Sequence, residues 1–164
     1  MSAETHGRAQ QRDIASPGRE SETVLGMWRA LSARDWDQVK THLAPDCIYA
    51  DMPVGPAAAA RGPEDIVKRL KIGLEVLAGY ENHDGLLVAD GPNVMYEHSE
   101  TWTWRTGEVA QLRFVTVHKV VDDRITIWKD YWDMSALANF APPNWLDDFA
   151  TADMSWVYDA TDLL

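Results

Sequence analysis

Four strand-like runs follow one another in the second half of the chain, over roughly 80–89, 94–105, 109–121 and 124–133, separated only by the turn strings DGPN, RTG and DD. Turns this short join neighbouring antiparallel strands and leave no room for the crossover that a parallel pair requires. The runs therefore predict an antiparallel meander, against which the rest of the chain must pack. In the second run, VMYEHSETWTW (Val94–Trp104), Tyr96, His98, Glu100, Trp102 and Trp104 occupy every second position and share one face. Met95, Glu97, Ser99, Thr101 and Thr103 share the other. A face that mixes broad aromatic rings with an imidazole and a carboxylate reads as the wall of a binding cavity, because an ordinary core does not bury titratable groups without partners.

Ahead of the meander, SETVLGMWRALSARDWDQVKTHL sets Val24, Met27, Trp28 and Leu31 at helical spacing and restarts with Trp36, Val39 and Leu43, which predicts two consecutive amphipathic helices, the second ended by Pro45. CIYADM then alternates as a strand, and PVGPAAAARG reads as a loop. PEDIVKRLKIGLEVLAG opens with Pro63 at a helix start and repeats Ile66, Leu70, Leu74 and Leu77 along one stripe. After Met134 the pattern is helical again and ends in the apolar tail NWLDDFATADMSWVYDATDLL. This order predicts an α+β cone, a curved antiparallel sheet wrapped around N-terminal helices with a pocket between them. The expected organisation is an N-terminal arm over 1–20, one domain over 21–140, and a tail over 141–164 that caps the pocket or forms an oligomer contact.

With 164 residues, 46% of them apolar, the chain suits a single domain with a substantial core. Its net charge of −11, with no cluster of Lys or Arg, gives no source of attraction to nucleic acid or anionic lipid. The lone Cys47 forms no intramolecular disulfide and no zinc-ligand spacing is present. The polar N-terminal stretch does not read as a signal peptide or anchor, and no run reaches the length of a membrane span, so a cytoplasmic location is expected.

On the last strand Trp128, Asp130 and Trp132 share a face, and Tyr49 and Asp51 repeat the two-residue spacing on the first. The string DDRITIWKDYWDM (Asp122–Met134) and, more loosely, CIYADMP and VMYEHSE resemble the strand signatures of the SnoaL-like and limonene-1,2-epoxide hydrolase-like branch of the NTF2-like superfamily, over roughly residues 22–140. The resemblance implies the cone fold and a site without metal or cofactor. Carried over by position, it puts Asp130 on the base that activates water, Glu100 on the acid, His98 on an arginine that bridges the two, and Tyr49 and Asp51 on a tyrosine and an asparagine that hold the water. His98, Glu100 and Asp51 depart in residue type. Guanidinium is a permanent planar fork, whereas imidazole holds two carboxylates only when protonated.

Carboxylates buried together raise at least one pKa by desolvation and repulsion, and a histidine among them is expected to be drawn toward its protonated form. Such a cluster holds an acid and a base together at neutral pH. The expected substrate contacts are Tyr96, Trp102, Trp104, Leu112, Phe114, Trp128, Trp132 and His83. His118 reads as a structural residue and His42 as a surface one. No metal site and no phosphate-cradling glycine loop is predicted, so cofactor-free chemistry is expected.

The expected function is an enzyme that moves protons on an apolar, oxygenated and aromatic small molecule. A lyase, dehydrating or cleaving a C–C bond in retro-aldol fashion, is preferred because a histidine suits elimination and the bridging arginine is gone. Epoxide hydrolysis is the alternative, and a non-catalytic ligand-binding module the second. A homo-oligomer, dimer or trimer, is expected through the open sheet face.

Overall fold

The computed structural model describes residues 18–164. Two helices come first, α1 (Arg19–Ser32) and α2 (Trp36–Thr41), then strand β1 (Leu43–Asp51), a short 3-10 turn at Pro56–Ala58, β2 (Ala59–Arg61) and helix α3 (Pro63–Leu74). The meander follows as β3 (Leu77–Asp90), β4 (Asn93–Trp104), β5 (Val109–Val121) and β6 (Arg124–Trp132). Short helices α4 (Ser135–Phe140) and α5 (Asp147–Thr151) and a two-residue strand β7 (Val157–Tyr158) complete it.

The strands make one curved, unclosed sheet in the order β3-β4-β5-β6-β1-β2-β7, antiparallel throughout except where β1 runs parallel to β6. The β5–β6 hairpin turns on Asp122 and Asp123, both at positive φ, as a two-residue turn that matches strand twist demands. Gly91 and Gly107 supply the same left-handed conformation in the other two turns. Alternation is strict on β5, where Ala110, Leu112, Phe114, Thr116, His118 and Val120 are buried. On β6 the register shifts between Lys119 and Val120, so Ile125 points inward and then Trp128 and Asp130 do. The bulge inverts the parity of the strand and aims Asp130 at the cavity.

Helix α1 lies across the inner face and buries Val24, Met27, Trp28 and Leu31, the four residues at helical spacing. Helix α2 is capped by the Asp35 side chain, which accepts from the Gln38 amide at 3.1 Å. Three local expectations need correction. Leu43 belongs to β1, because α2 ends at Thr41 and Pro45 falls within the strand, where the β1–β6 register is irregular. Leu77 starts β3 and not the last turn of α3. Part of the alanine loop, Ala59–Arg61, pairs with β1 and β7 as an extra strand. The arm expected over 1–20 lies outside the described residues up to position 17, while Arg19 and Glu20 form the first turn of α1.

Candidate active site

Strand register does the first part of the assembly. Across the parallel β1–β6 pair, Tyr49 faces Trp128 and Asp51 faces Asp130. Glu100, on β4, pairs with Leu112 of β5, which separates it from β6. Tyr49, Asp51, Glu100 and Asp130 point to the concave side, where they line a cavity of about 320 Å³. Trp28, Tyr80, Trp102, Trp104, Phe114 and Trp132 supply aromatic walls. Among the described residues, the charged lining consists of Asp51, Arg69, Glu100 and Asp130. Trp145, Leu146 and Phe149 of the C-terminal segment also line the cavity.

Each carboxyl has fixed partners. Asp51 accepts from Arg69 Nη2 at 2.8 Å and from Trp132 Nε1 at 2.5 Å. Asp130 Oδ1 accepts from Trp128 Nε1 at 2.5 Å. Glu100 accepts from the Tyr80 hydroxyl at 2.6 Å through Oε1 and from Trp102 Nε1 at 2.7 Å through Oε2. Arg69 is itself clasped by the tail, its guanidinium lying 5.1 Å from the Phe149 ring centre and 5.5 Å from that of Trp156. Aromatic faces favour a cation there, and Arg69 balances one carboxylate.

Burial dominates the electrostatics. It pushes the Glu100 carboxyl up to about 7, against the opposing hydrogen bonds of Tyr80 and Trp102, with the Asp51 charge adding to the rise. Burial likewise holds Asp130 well above the usual carboxylate range, reinforced by the charges of Asp51 and Glu100. Asp51 is raised by burial too, but Arg69 and Trp132 pull it back. Negative charge is therefore held most easily on Asp51, beside its guanidinium, while burial favours the protonated form of Asp130 and leaves Glu100 exchanging its proton around neutral pH. An acid and a carboxylate coexist in one dry pocket.

Of the residues named from sequence, the structure brings Tyr49, Asp51, Glu100, Trp102, Trp104, Phe114, Asp130 and Trp132 to the cavity. It sets five behind or outside it. His98 is fully buried, its ring stacked between Tyr96 at 4.7 Å and Phe114 at 5.0 Å and tilted against Trp28 at 4.3 Å. Neither ring nitrogen has a hydrogen-bond partner, and Glu100 stands 3.9 Å away. Desolvation lowers the His98 pKa to about 3, outweighing the pull of Asp84. The expected imidazolium is thus a neutral ring in an aromatic stack, because burial costs the cation more than nearby carboxyls return.

Tyr96 turns its hydroxyl away, donating to Asp84 and accepting from Asn82. Leu112 is core. Trp128 is fully buried behind Asp130 and acts on the cavity through its indole N–H. His83 is on the outer face, half exposed, with Nε2 2.9 Å from Thr101 Oγ1.

Sequence reading missed Arg69 and Tyr80. Arg69 borders the apolar stripe of α3, between Ile66 and Gly73 on the helix surface, which is the signal it offered. Tyr80 was visible in the strand run, since Tyr80, Asn82 and Asp84 alternate there. Among the described residues, no group of three His, Cys, Asp or Glu side chains is arranged to hold a metal ion. No helix among them is long and apolar enough to cross a membrane.

Residues 24–128 match the family model of the SnoaL-like domain. No curated protein matches the sequence. Among solved structures, an LEH-like epoxide hydrolase from M. tuberculosis is 25% identical, with 73% of this chain and 86% of that chain covered and a TM-score of 0.63. TerC, co-crystallized with polyporic acid, is 21% identical over 74% of this chain and 96% of its own, with a TM-score of 0.66. A candidate SnoaL-like polyketide cyclase from Shewanella putrefaciens CN-32 is 16% identical over 76% of this chain and 96% of its own, with a TM-score of 0.68.

Proposed function

The chain belongs to the SnoaL-like domain family, and from that membership and its pocket we propose that it is a cofactor-independent acid/base enzyme that adds water to an epoxide on an apolar, ring-bearing small molecule. The observation that carries the reading is the convergence of Glu100, an acid whose pKa burial pushes up to about 7, with the Asp51–Asp130 pair and Tyr49 around one aromatic cavity. The pair takes the proton of the attacking water at the carboxylate it shares. Glu100 supplies a proton to the epoxide oxygen as the C–O bond breaks and that oxygen takes the electron pair. A cavity of about 320 Å³ admits a molecule of one or two rings. The likeness to the M. tuberculosis LEH-like epoxide hydrolase supports the same chemistry.

A lyase is preferred where a histidine enters the pocket and no guanidinium does. His98 is behind the wall, and Arg69 brings a guanidinium from α3. Dehydration or retro-aldol cleavage is the second reading, favoured by the Tyr80 hydroxyl, which gives a leaving oxygen a donor beside Glu100. The test is mass spectrometry of products formed in ¹⁸O-labelled water from a panel of aryl and alicyclic epoxides, aryl diols and polycyclic ketones. One labelled oxygen in a diol supports hydrolysis, and loss of water or formaldehyde supports the lyase. Binding without conversion across the panel, read by tryptophan fluorescence, supports a carrier instead.

A further inference from the structure

The hydrogen bonds around Glu100 decide where its proton can lie. Trp102 Nε1 is a donor only, so Oε2, at 2.7 Å from it, must accept. The proton of neutral Glu100 therefore sits on Oε1, which is 2.6 Å from the Tyr80 hydroxyl oxygen. A protonated carboxyl oxygen is the poorer acceptor and the better donor, so in the acid form Glu100 donates to Tyr80. The single hydrogen of Tyr80 is then released from Glu100. Both residues line the cavity, but Glu100 is almost fully buried while Tyr80 is only partly so.

From this geometry we infer that Tyr80 is a catalytic residue, the group that hands the proton to the bound oxygen, with hydrogen-bonded Glu100 as the reservoir that reprotonates it. The inference deepens the acid/base reading above and rests on it for the identity of the reaction. The balance is simple. The substrate oxygen gains the Tyr80 proton as its C–O bond breaks, Tyr80 regains a proton from Glu100 Oε1, and Glu100 ends as a carboxylate. That carboxylate then accepts from both Tyr80 and Trp102, two charge-assisted hydrogen bonds that stabilise the charge left behind. Tyr80 stays neutral throughout, as its strongly raised pKa, caused first by burial and then by Glu100, requires. The proton returns to Glu100 from the Asp51–Asp130 pair, which received one from water.

The arrangement predicts a switch. When Glu100 ionises, Tyr80 must turn its hydrogen back to Oε1 and ceases to donate into the cavity. The other groups facing Glu100 are His98 at 3.9 Å on its own strand, which stays neutral, and across the cavity Asp51 with its Arg69 counterion, Asp130 and Tyr49.

The test uses acetophenone labelled with ¹³C at the carbonyl as a probe, and reads its isotope-edited infrared stretch on the full-length protein. In the wild type the stretch is lowered at pH 5 and the lowering is lost at pH 9. In Tyr80→Phe it is absent at both. In Glu100→Gln, a neutral mimic of the acid, it is present at both. A lowering that survives in Tyr80→Phe, or that is unchanged at pH 9 in the wild type, overturns the inference. A second spectrum needs no ligand: the acid C=O stretch of Glu100, assigned through Glu100→Gln, moves up in Tyr80→Phe because its acceptor is gone. An unmoved stretch overturns the inference equally. Neither spectrum depends on turnover, so a protein that converts no epoxide yet shows this pattern refutes hydrolysis and keeps Tyr80 as the donor.

Discussion

Asp51 and Asp130 are register partners across the one parallel strand pair of the sheet, two carboxyls brought side by side on adjoining strands with Arg69 reaching only the first. The pair can carry one negative charge cheaply and a second only at a large cost, since burial and then the Asp51 charge raise the Asp130 pKa. Asp130→Asn removes the group that gives way. The Asp130 pKa is raised on folding, so the ionisable side chain stabilises the fold fully at pH below about 4 and loses that contribution as pH rises. Thermal melts of Asp130→Asn are therefore expected to match wild type near pH 4 and to lie above it at pH 8, while turnover of a labelled epoxide falls about 100-fold or more.

Glu100 gives the second prediction. Its pKa is about 7 in the fold against an ordinary value of 4.5, so its stabilising contribution is complete below pH 4.5 and drains away between 4.5 and 7. The difference amounts to roughly 3 kcal/mol. Urea unfolding of Glu100→Gln should show a gain over wild type that opens across this window and is flat above it. The same ionisation removes the acid, so wild-type kcat/KM is expected to fall above pH 7.

Arg69 and Asp51 form a buried ion pair, with 12% and 8% of their side-chain surfaces exposed. Arg69→Met leaves Asp51 without a counterion, held only by the Trp132 indole N–H, and is expected to cost about 3–5 kcal/mol in urea unfolding. Adding Asp51→Asn to that variant removes the stranded charge and should recover more than half of the loss. If the double variant is no more stable than the single one, the pair is not what Arg69 contributes.

His98 tests the boundary of the site. His98→Phe keeps a flat ring between Tyr96 and Phe114, so turnover should stay within about threefold of wild type. The His98 pKa drops to about 3 on folding, so its contribution is complete above pH 6.5 and is lost as pH falls from 6.5 toward 3. His118, also buried and lowered to about 3, adds the same trend. The phenylalanine variant should resist acid unfolding better than wild type, measured by tryptophan fluorescence between pH 7 and 4. A hundredfold loss of turnover with the fold intact would put His98 back in the chemistry.

Parity carried most of what was legible in the chain. Alternation on β4 aligned Glu100 with Trp102 and Trp104 on the cavity wall because a strand has only two faces. Parity cannot say how far from a cavity an inward residue stands, and this is why His98 and Tyr96, on the same face as Glu100, are sealed beneath it. The bulge on β6 and the strand made from Ala59–Arg61 depend on pairing partners distant in sequence, and local pattern does not record those. Arg69 is hidden for a related reason. A guanidinium at the edge of a helical stripe looks like a solvated residue until the tail rings of Phe149 and Trp156 fold over it. The helices showed most clearly, since the Val24, Met27, Trp28 and Leu31 stripe needs only its own periodicity.

Acid/base chemistry in this pocket requires a protonated acid and a carboxylate together at neutral pH. Carboxyl-¹³C NMR of protein labelled at Asp and Glu, titrated from pH 4 to 9 and assigned through Asp51→Asn, Glu100→Gln and Asp130→Asn, measures this directly. The expected result is a Glu100 signal that titrates near pH 7, an Asp130 signal still protonated at neutral pH, and Asp51 already ionised there. Three carboxyls that all ionise below pH 5 would contradict it.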